Sequence, residues 1–162
     1  MASSNATVPG SMQRVVALAG GVGGAKLAHG LYAALPPNTL AVVVNTADDF
    51  THWGLKISPD LDTVMYTLAG IANEETGWGV ANETWNALVA AGRLGAETWF
   101  RIGDQDLATH VLRTEALGSG RTLSDITAQM AARLDIQADL LPMADHTVAT
   151  MVQTPEGWLA FQ

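Results

Sequence analysis

Two stretches concentrate residue types that do chemistry. The first is "LAGGVGGAKLAHGL", residues 18–31, where Gly20, Gly21, Gly23 and Gly24 bunch ahead of Lys26. Glycines let a backbone approach a ligand closely and turn its N–H groups towards it, and a lysine beside them answers to an anion. That is phosphate chemistry. The second is "NTADDFTHWGLKISPDLDT", residues 45–63, which gathers Asp48, Asp49, Asp60 and Asp62 with only Lys56 to offset them. Carboxylate oxygens near a phosphate suit magnesium, which keeps several waters and takes one or two acids. Asp48 and Asp49 are therefore placed to hold a metal or a substrate hydroxyl.

The glycine loop fits neither common pattern. A dinucleotide fingerprint needs glycine where Lys26 stands, and a P-loop needs Ser or Thr where Leu27 follows the lysine. A dinucleotide fold also ends its second strand on an acid for the ribose, and Asn45 holds that position. Both departures weigh against a plain NAD-dependent oxidoreductase. Lys26 is expected in the first turn of a helix. A cation there opposes the helix dipole by about 0.3–1 kcal/mol, which makes sense if an anion lies in front.

Each of these residues also has a bland reading. Lys26 can be a solvated side chain after a tight turn. Asp60 and Asp62 fit the first turn of a helix, where acids stabilise the dipole with no further role. Asp48 and Asp49 can form an Asx-turn. Asn45 can satisfy backbone groups at a strand end, and His52 can be an ordinary loop histidine.

The elements that must position these residues follow from pattern. "VVALA", residues 15–19, and "LAVVV", residues 40–44, are apolar runs of buried-strand length. Between them a helix is expected from Ala25 to about Leu35, with Leu27, Leu31 and Leu35 inward, ended by Pro36-Pro37. This is a βαβ unit, and the acidic segment follows its second strand at the ligand-binding edge of a parallel sheet. Ser58-Pro59-Asp60 starts a helix with Leu61, Met65 and Leu68 inward. Further helices are expected after Asn82 (Trp85, Leu88 and Val89 inward), Gly103 (Leu107, Val111 and Leu112 inward) and Ser124 (Ile126, Met130 and Leu134 inward). Residues 147–162 read as strand, turn, strand.

Three further segments offer polar groups. "GDQDLATHVLRT", residues 103–114, holds Asp104, Asp106, His110 and Arg113. His110 and Arg113 share a helix face, and Asp106 pairs naturally with His110 four residues on. "GWG", residues 77–79, presents Trp78 as a plane for a ring, though tryptophan is often core. "LPMADH" ends on Asp145 and His146, which fit a site or a turn.

Composition bounds the class. The chain has 162 residues, 48% hydrophobic and 15% charged, enough for one globular domain. The net charge of −8 argues against nucleic acid as partner. With no cysteine there is no disulfide framework and no thiolate zinc site. Residues 1–12 are polar and small, expected to form a disordered extension, and the Asn5 sequon carries little weight without a secretion signal. Residues 13–162 form the expected domain, cytoplasmic and free of the membrane; a homodimer is left open.

In their order, GGVGGAKLAHGL, NTADDF with GLKISPDLDTVMYTLAGI, GWG, GDQDLATHVLRT and LPMAD resemble the 2-phospho-L-lactate transferase family of coenzyme F-420 biosynthesis. The resemblance runs from about Val15 to Gln162. It implies a Rossmann-like α/β fold, a parallel sheet flanked by helices, with the C-terminal β-hairpin appended. It implies transfer of a phosphoenolpyruvyl or 2-phospholactyl group from a guanosine diphosphate donor to the deazaflavin FO, with magnesium and release of GMP. The four loop glycines and Lys26 would take donor phosphates. Asp48 and Asp49, with Asp62, would hold magnesium. Asp49 would also meet the FO hydroxyl, and Trp78 would lie near the deazaflavin. Asn45, His52, Asp104, His110, Arg113 and Asp145 are further site candidates. Relatives carry a basic residue about where Leu88 stands and two acids where Asp145-His146 stand. Relatives are also longer, which marks this sequence as an expected fragment. The competing reading is a non-catalytic nucleotide-sugar-binding regulator like the gluconeogenesis-factor (YvcK-like) proteins, which share the glycine loop and an acidic turn.

Overall fold

The structure, a computed structural model, describes residues 14–161. The extension expected at residues 1–12 lies outside the described residues, as does the Asn5 sequon.

Strand β1 (Val15–Ala19), helix α1 (Val22–Ala34) and strand β2 (Leu40–Val44) form the expected βαβ unit. The strands run parallel, with Val15 opposite Leu40 and Ala19 opposite Val44. A strand that the sequence pattern did not suggest, β5 (Asp139–Pro142), pairs in parallel with the other side of β2. Among the described residues this sheet has the order β1-β2-β5. The fold is thus α/β with a parallel sheet and helices. The core lies on one face of the sheet, where Ala17, Ala19, Val42, Val44 and Leu140 meet Ala25 and Ala28 of α1. Leu61, Val64, Met65 and Leu68 of α2 (Pro59–Leu68) and Leu123 and Ala131 of α5 (Leu123–Arg133) complete it.

Helix α1 begins three residues earlier than the sequence suggests, so Gly23 and Gly24 are helical and Lys26 lies past the first turn. The reason is close packing. A Cβ on Gly24 would sit 2.8 Å from both Cα and Cβ of Ala19. The same approach puts the small residues Ala25 and Ala28 inward, leaving Leu27 exposed and Leu31 and Leu35 only partly covered.

Three other helices differ from expectation. Helix α3 (Asn86–Arg93) starts after Trp85, since Asn82 takes a positive φ of 55°; Leu88 is buried and Val89 exposed. Helix α4 (Asp104–Gly118) begins where Gly103 predicts, but is turned over: His110, Arg113 and Ala116 are buried, while Val111 and Leu112 face outward. Helix α5 is capped by Thr122, whose hydroxyl accepts from the Asp125 N–H, and not by Ser124.

One hairpin lies within the acidic segment and another ties back to it. Strands β3 (Phe50–His52) and β4 (Leu55–Ile57) pair antiparallel around Trp53 and Gly54, both at positive φ, as a type I′ turn requires. Strands β6 (Met151–Thr154) and β7 (Gly157–Ala160) form the expected C-terminal hairpin. Thr150 ties it back, its N–H donating to the Ala47 carbonyl and its hydroxyl to Asp48 Oδ1.

Gly24→Ala should test the β1–α1 contact. Alanine gains about 1 kcal/mol of helix propensity, but the clash is with strand backbone, which cannot turn aside. A net loss of about 1–3 kcal/mol in urea unfolding is expected; a more stable variant would show that the contact does not constrain the loop.

Candidate functional site

The loop joining β1 to α1 presents unpaired backbone donors. The first intrahelical bond runs from the Ala25 N–H to the Gly21 carbonyl. The N–H groups of Gly21, Val22, Gly23 and Gly24 therefore precede the helical ladder and point out of its N-terminus. A Cβ at Gly23 would meet nothing within 4 Å, so the space before it is open. A Cβ at Gly21 would lie 2.6 Å from Asp60 Oδ1, so the Asp60 carboxylate rests against the loop.

Asn45 connects that carboxylate to the acidic turn. Its Nδ2 donates to Asp48 Oδ2 and Asp60 Oδ2, both at 3.0 Å, while its Oδ1 accepts from the Ala47 N–H. The departure from the ribose-binding acid thus has a physical reason. An aspartate here would repel two carboxylates, whereas an amide supplies a proton to each. The sequence gives Asp60 and Asp62 the same place in the first turn of α2 and names only Asp62 as a candidate ligand; in the structure it is Asp60 that rests against the glycine loop. The unnoticed signal was that Ser58-Pro59 starts that helix pointing back at the glycines.

Asp49 is handled differently. Its Oδ2 accepts from the Ser58 hydroxyl at 2.7 Å, and its Oδ1 is buried with no hydrogen-bond partner. Ser58 does precede α2 as predicted, yet its hydroxyl serves Asp49 and not the helix. Burial pushes the Asp49 carboxyl up to about 7; the Ser58 hydrogen bond and Arg113 only partly offset this, and Asp62 and Asp60 add to it. Asp49 lines a cavity of about 260 Å³ with Thr46, Lys56, Ser58, Asp145 and His146.

The third arrangement is a buried network. Both oxygens of Asp62 accept from the Arg113 guanidinium, which is 1% exposed. Asp62 is therefore committed to Arg113 and does not join Asp48 and Asp49 as the metal ligand expected. Arg113 Nη1 also meets His110 Nδ1 at 3.4 Å. Arginine only donates, so Nδ1 accepts and the Nε2–H donates to Asp106 Oδ2 at 3.1 Å. Tyr66 donates its hydroxyl to Asp106 Oδ1 at 2.6 Å. Burial alone would raise the Asp106 carboxyl, but the hydrogen bonds from His110 and Tyr66 and the nearby charges hold it low. The network floors a second cavity, about 320 Å³, walled by Tyr66, Trp78, Trp99 and Phe100.

The remaining candidates separate into neighbours of the site and structural groups. Trp78 does not line the cavity that Asp49 faces; it lies beside the aromatic one. Its turn abuts the loop: a Cβ on Gly77 would be 3.0 Å from Val22 Cγ1. Lys26 is exposed on α1. His52 is buried among aromatic rings, stacked on Trp53 at 5.1 Å. Asp104 caps a neighbouring helix, accepting from the Asn86 and Ala87 N–H groups of α3, while Glu83 accepts from the Gln105 and Asp106 N–H groups of α4. Asp145 accepts from the Ser124 N–H at the start of α5.

Carboxylate oxygens of Asp48 and Asp60 share one amide nitrogen, and among the described residues no lysine or arginine pairs with either. That hard-oxygen donor set fits a magnesium ion.

Two outcomes test this electrostatic layout. Arg113→Met should cost about 3–5 kcal/mol in denaturant unfolding, because Asp62 stays buried without its partner; a loss below about 1 kcal/mol would refute the pairing. In magnesium-free buffer, Asp49 ionises in the unfolded chain near its ordinary value of 3.8 but in the fold near 7. Its contribution to stability is intact below the lower value and lost as pH rises through the upper one. Asp49→Asn should therefore match the parent near pH 4 and exceed it by roughly 2–4 kcal/mol above pH 7. A difference independent of pH would contradict the raised value.

The family model described as "2-phospho-L-lactate transferase CofD" matches residues 15–162. The chain is 47% identical over 142 residues to a phosphoenolpyruvate transferase of Kitasatospora aureofaciens, covering 86% of this chain and 44% of that one. It is 48% identical over 141 residues to a phosphoenolpyruvate transferase of Streptomyces coelicolor, with the same coverage of 86% and 44%. To a 2-phospho-L-lactate transferase of Methanosarcina mazei it is 39% identical over 148 residues, covering 91% and 49%. It thus spans about half the length of these curated relatives. Among solved structures, a UPF0052-family protein of Bacillus halodurans superposes with a TM-score of 0.61 at 15% identity, covering 93% of this chain and 46% of that one, a likeness of fold. Since the family match takes in β1 through β7 together with the glycine loop and the acidic turn, the chain belongs to the 2-phospho-L-lactate transferase CofD family.

Proposed function

We propose that the protein transfers a phosphoenolpyruvyl or 2-phospholactyl group from a guanosine diphosphate donor to the terminal hydroxyl of the deazaflavin FO, releasing GMP, in coenzyme F-420 biosynthesis. Family membership and the names of the relatives support the reaction class. The observation that carries the residue assignment is Asp49, a largely buried carboxylate with one oxygen unpartnered and a value raised to about 7. A general base works best when its pKa lies near the operating pH.

The acceptor hydroxyl attacks the distal phosphorus of the donor, and Asp49 receives its proton. The Ser58 hydroxyl fixes one Asp49 oxygen and leaves the other for this task. Donor phosphates meet the open N–H groups of Gly21 to Gly24, with Lys26 at hand further along α1. Asp48 and Asp60, held by Asn45, would hold magnesium, which supplies Lewis-acid neutralisation of phosphoryl oxygens when bound. The Asp60 carboxylate beside Gly21 supports this, because an anion on the loop would otherwise face an uncompensated acid. The cavity beside Trp78 suits the deazaflavin ring. Phosphoryl transfer asks chiefly for positioning and charge neutralisation, which these groups supply without a covalent enzyme intermediate.

The full-length protein, incubated with FO, magnesium and the guanosine donor, should convert FO to a more acidic deazaflavin resolved by chromatography. Asp49→Asn should lower turnover by at least ~100-fold while donor binding by calorimetry persists. Unchanged turnover would remove Asp49 from the site. No conversion together with tight UDP-sugar binding would replace the transferase reading with that of a regulator.

A further inference from the structure

The ionisable and hydroxyl side chains lining the aromatic cavity are engaged within the protein, with one exception. Both Asp62 oxygens accept from Arg113. Asp106 accepts from Tyr66 and from His110, whose other ring nitrogen faces Arg113. Thr63 donates its hydroxyl to the Pro59 carbonyl, one turn back in α2. The exception is Arg101, which is exposed. Among the described residues no carboxylate pairs with it.

A solitary surface arginine commonly does no more than meet solvent. This one is held in place. Its Cζ lies 4.3 Å from the centroid of the Trp85 ring. The ring attracts the cation through its quadrupole, which leaves the guanidinium N–H groups for an oxygen acceptor. Trp85 is itself fixed. It immediately precedes α3, and Asp104 accepts from the N–H groups of Asn86 and Ala87 that follow it. The Asp104 N–H in turn donates to the Thr84 carbonyl. The same contacts explain why no acid neutralises Arg101. Asp104 is committed to the start of α3. Glu83, which shares a smaller cavity of about 80 Å³ with Arg101, is committed to the start of α4.

Arg101 stands where the two cavities meet, lining both together with Trp78, Gly79 and Asp106. The larger is walled by Tyr66, Trp78, Trp99 and Phe100, a lining that suits a flat conjugated ring. An unpaired guanidinium on such a wall answers to a ring whose rim carries oxygen acceptors. A deazaflavin has that rim, in the two carbonyls of its pyrimidinedione. On the transferase reading the donor phosphates have their partners at the start of α1 and in the metal, which leaves Arg101 for the acceptor.

We propose that Arg101 is a specificity-determining residue for the acceptor, its guanidinium donating to the carbonyl oxygens at the rim of the deazaflavin ring while Trp85 holds it in position. The inference rests on the transferase reading and on the ring lying in the aromatic cavity. Trp85 is a positioning residue, acting only through the cation.

Titration of the full-length protein with FO, followed by deazaflavin fluorescence, tests this beside calorimetry with the guanosine diphosphate donor. Arg101→Met should weaken FO binding about 10- to 100-fold, the range of a hydrogen bond to a charged group, and leave donor binding and Tm unchanged. Arg101→Lys keeps the charge but not the fork, and should recover part of the loss. Trp85→Phe keeps a ring face and should bind FO nearly as the parent does. Trp85→Leu should weaken FO binding in the parent and add nothing on the Arg101→Met background. Equal FO affinity in the parent and Arg101→Met overturns the proposal. So does weakened donor binding with FO binding intact, which would give Arg101 to the carboxylate of the transferred group. Additive losses in the double variant overturn the part given to Trp85. A parent that binds no FO removes the transferase reading itself, and this inference with it.

Discussion

Four carboxylates delivered to one end of a sheet are the constraint on which this structure turns. Asp48, Asp49, Asp60 and Asp62 come from one short segment, and like charges so close cannot all stay ionised without separate means of support. Three different ones serve the four acids. Asp48 and Asp60 share the two protons of the Asn45 amide. Asp49 takes one hydrogen bond from Ser58 and a strongly raised pKa. Asp62 takes a guanidinium. Two of these are neutral solutions that leave oxygen lone pairs free, and only the third closes its carboxylate off. Of the four, Asp60 is the one whose carboxylate rests against the glycine loop.

The closed solution shapes the fold around it. Bringing Arg113 to Asp62 fixes the rotation of α4, so that a charged face is buried while Val111 and Leu112 are left outside. Hydrophobic burial alone would have chosen the opposite rotation. The pair holds because it is bidentate and because His110, Asp106 and Tyr66 satisfy the polar atoms around it. Capping then locks α3 to α4 in both directions, Asp104 serving one helix start and Glu83 the other. The acid that opens α4 is thereby consumed by its neighbour, although its position at a helix N-terminus made it a plausible site residue.

What the sequence discloses is what local physics decides. The limits of β1 and β2, the Ser58-Pro59 start of α2, the Gly103 start of α4 and the C-terminal hairpin are all set by residues next to one another in the chain. The early start of α1 is not, because it depends on Gly24 lying against Ala19 of the strand it has just left. Nor is the β3–β4 hairpin, whose Trp53-Gly54 turn lacks the usual Asn or Asp; the Trp53 ring N–H is anchored instead to the Glu97 carbonyl. Strand β5 is too short and too polar at its first residue to declare itself. Among the candidate residues, the grouping of Asn45, Asp48 and Asp49 is legible from their place after β2. Asp60 is hidden by a sufficient local explanation, and the separation of Trp78 from the Asp49 cavity arises only in three dimensions.

The same topology bears on where a nucleotide can lie. In open parallel sheets a ligand occupies the crevice at the carboxyl ends of the strands where the walk reverses direction. Here the walk runs one way only, and the strand that carries the glycine loop stands at its beginning. The acidic turn after β2 forms one wall beside that loop, supplied wholly by this chain through Asn45, Asp48 and Asp60. On the other side of β1, among the described residues, Val16 and Leu18 carry no strand partner. The backbone N–H groups that open α1 and the acidic turn after β2 thus meet at one end of the sheet, both supplied by this chain.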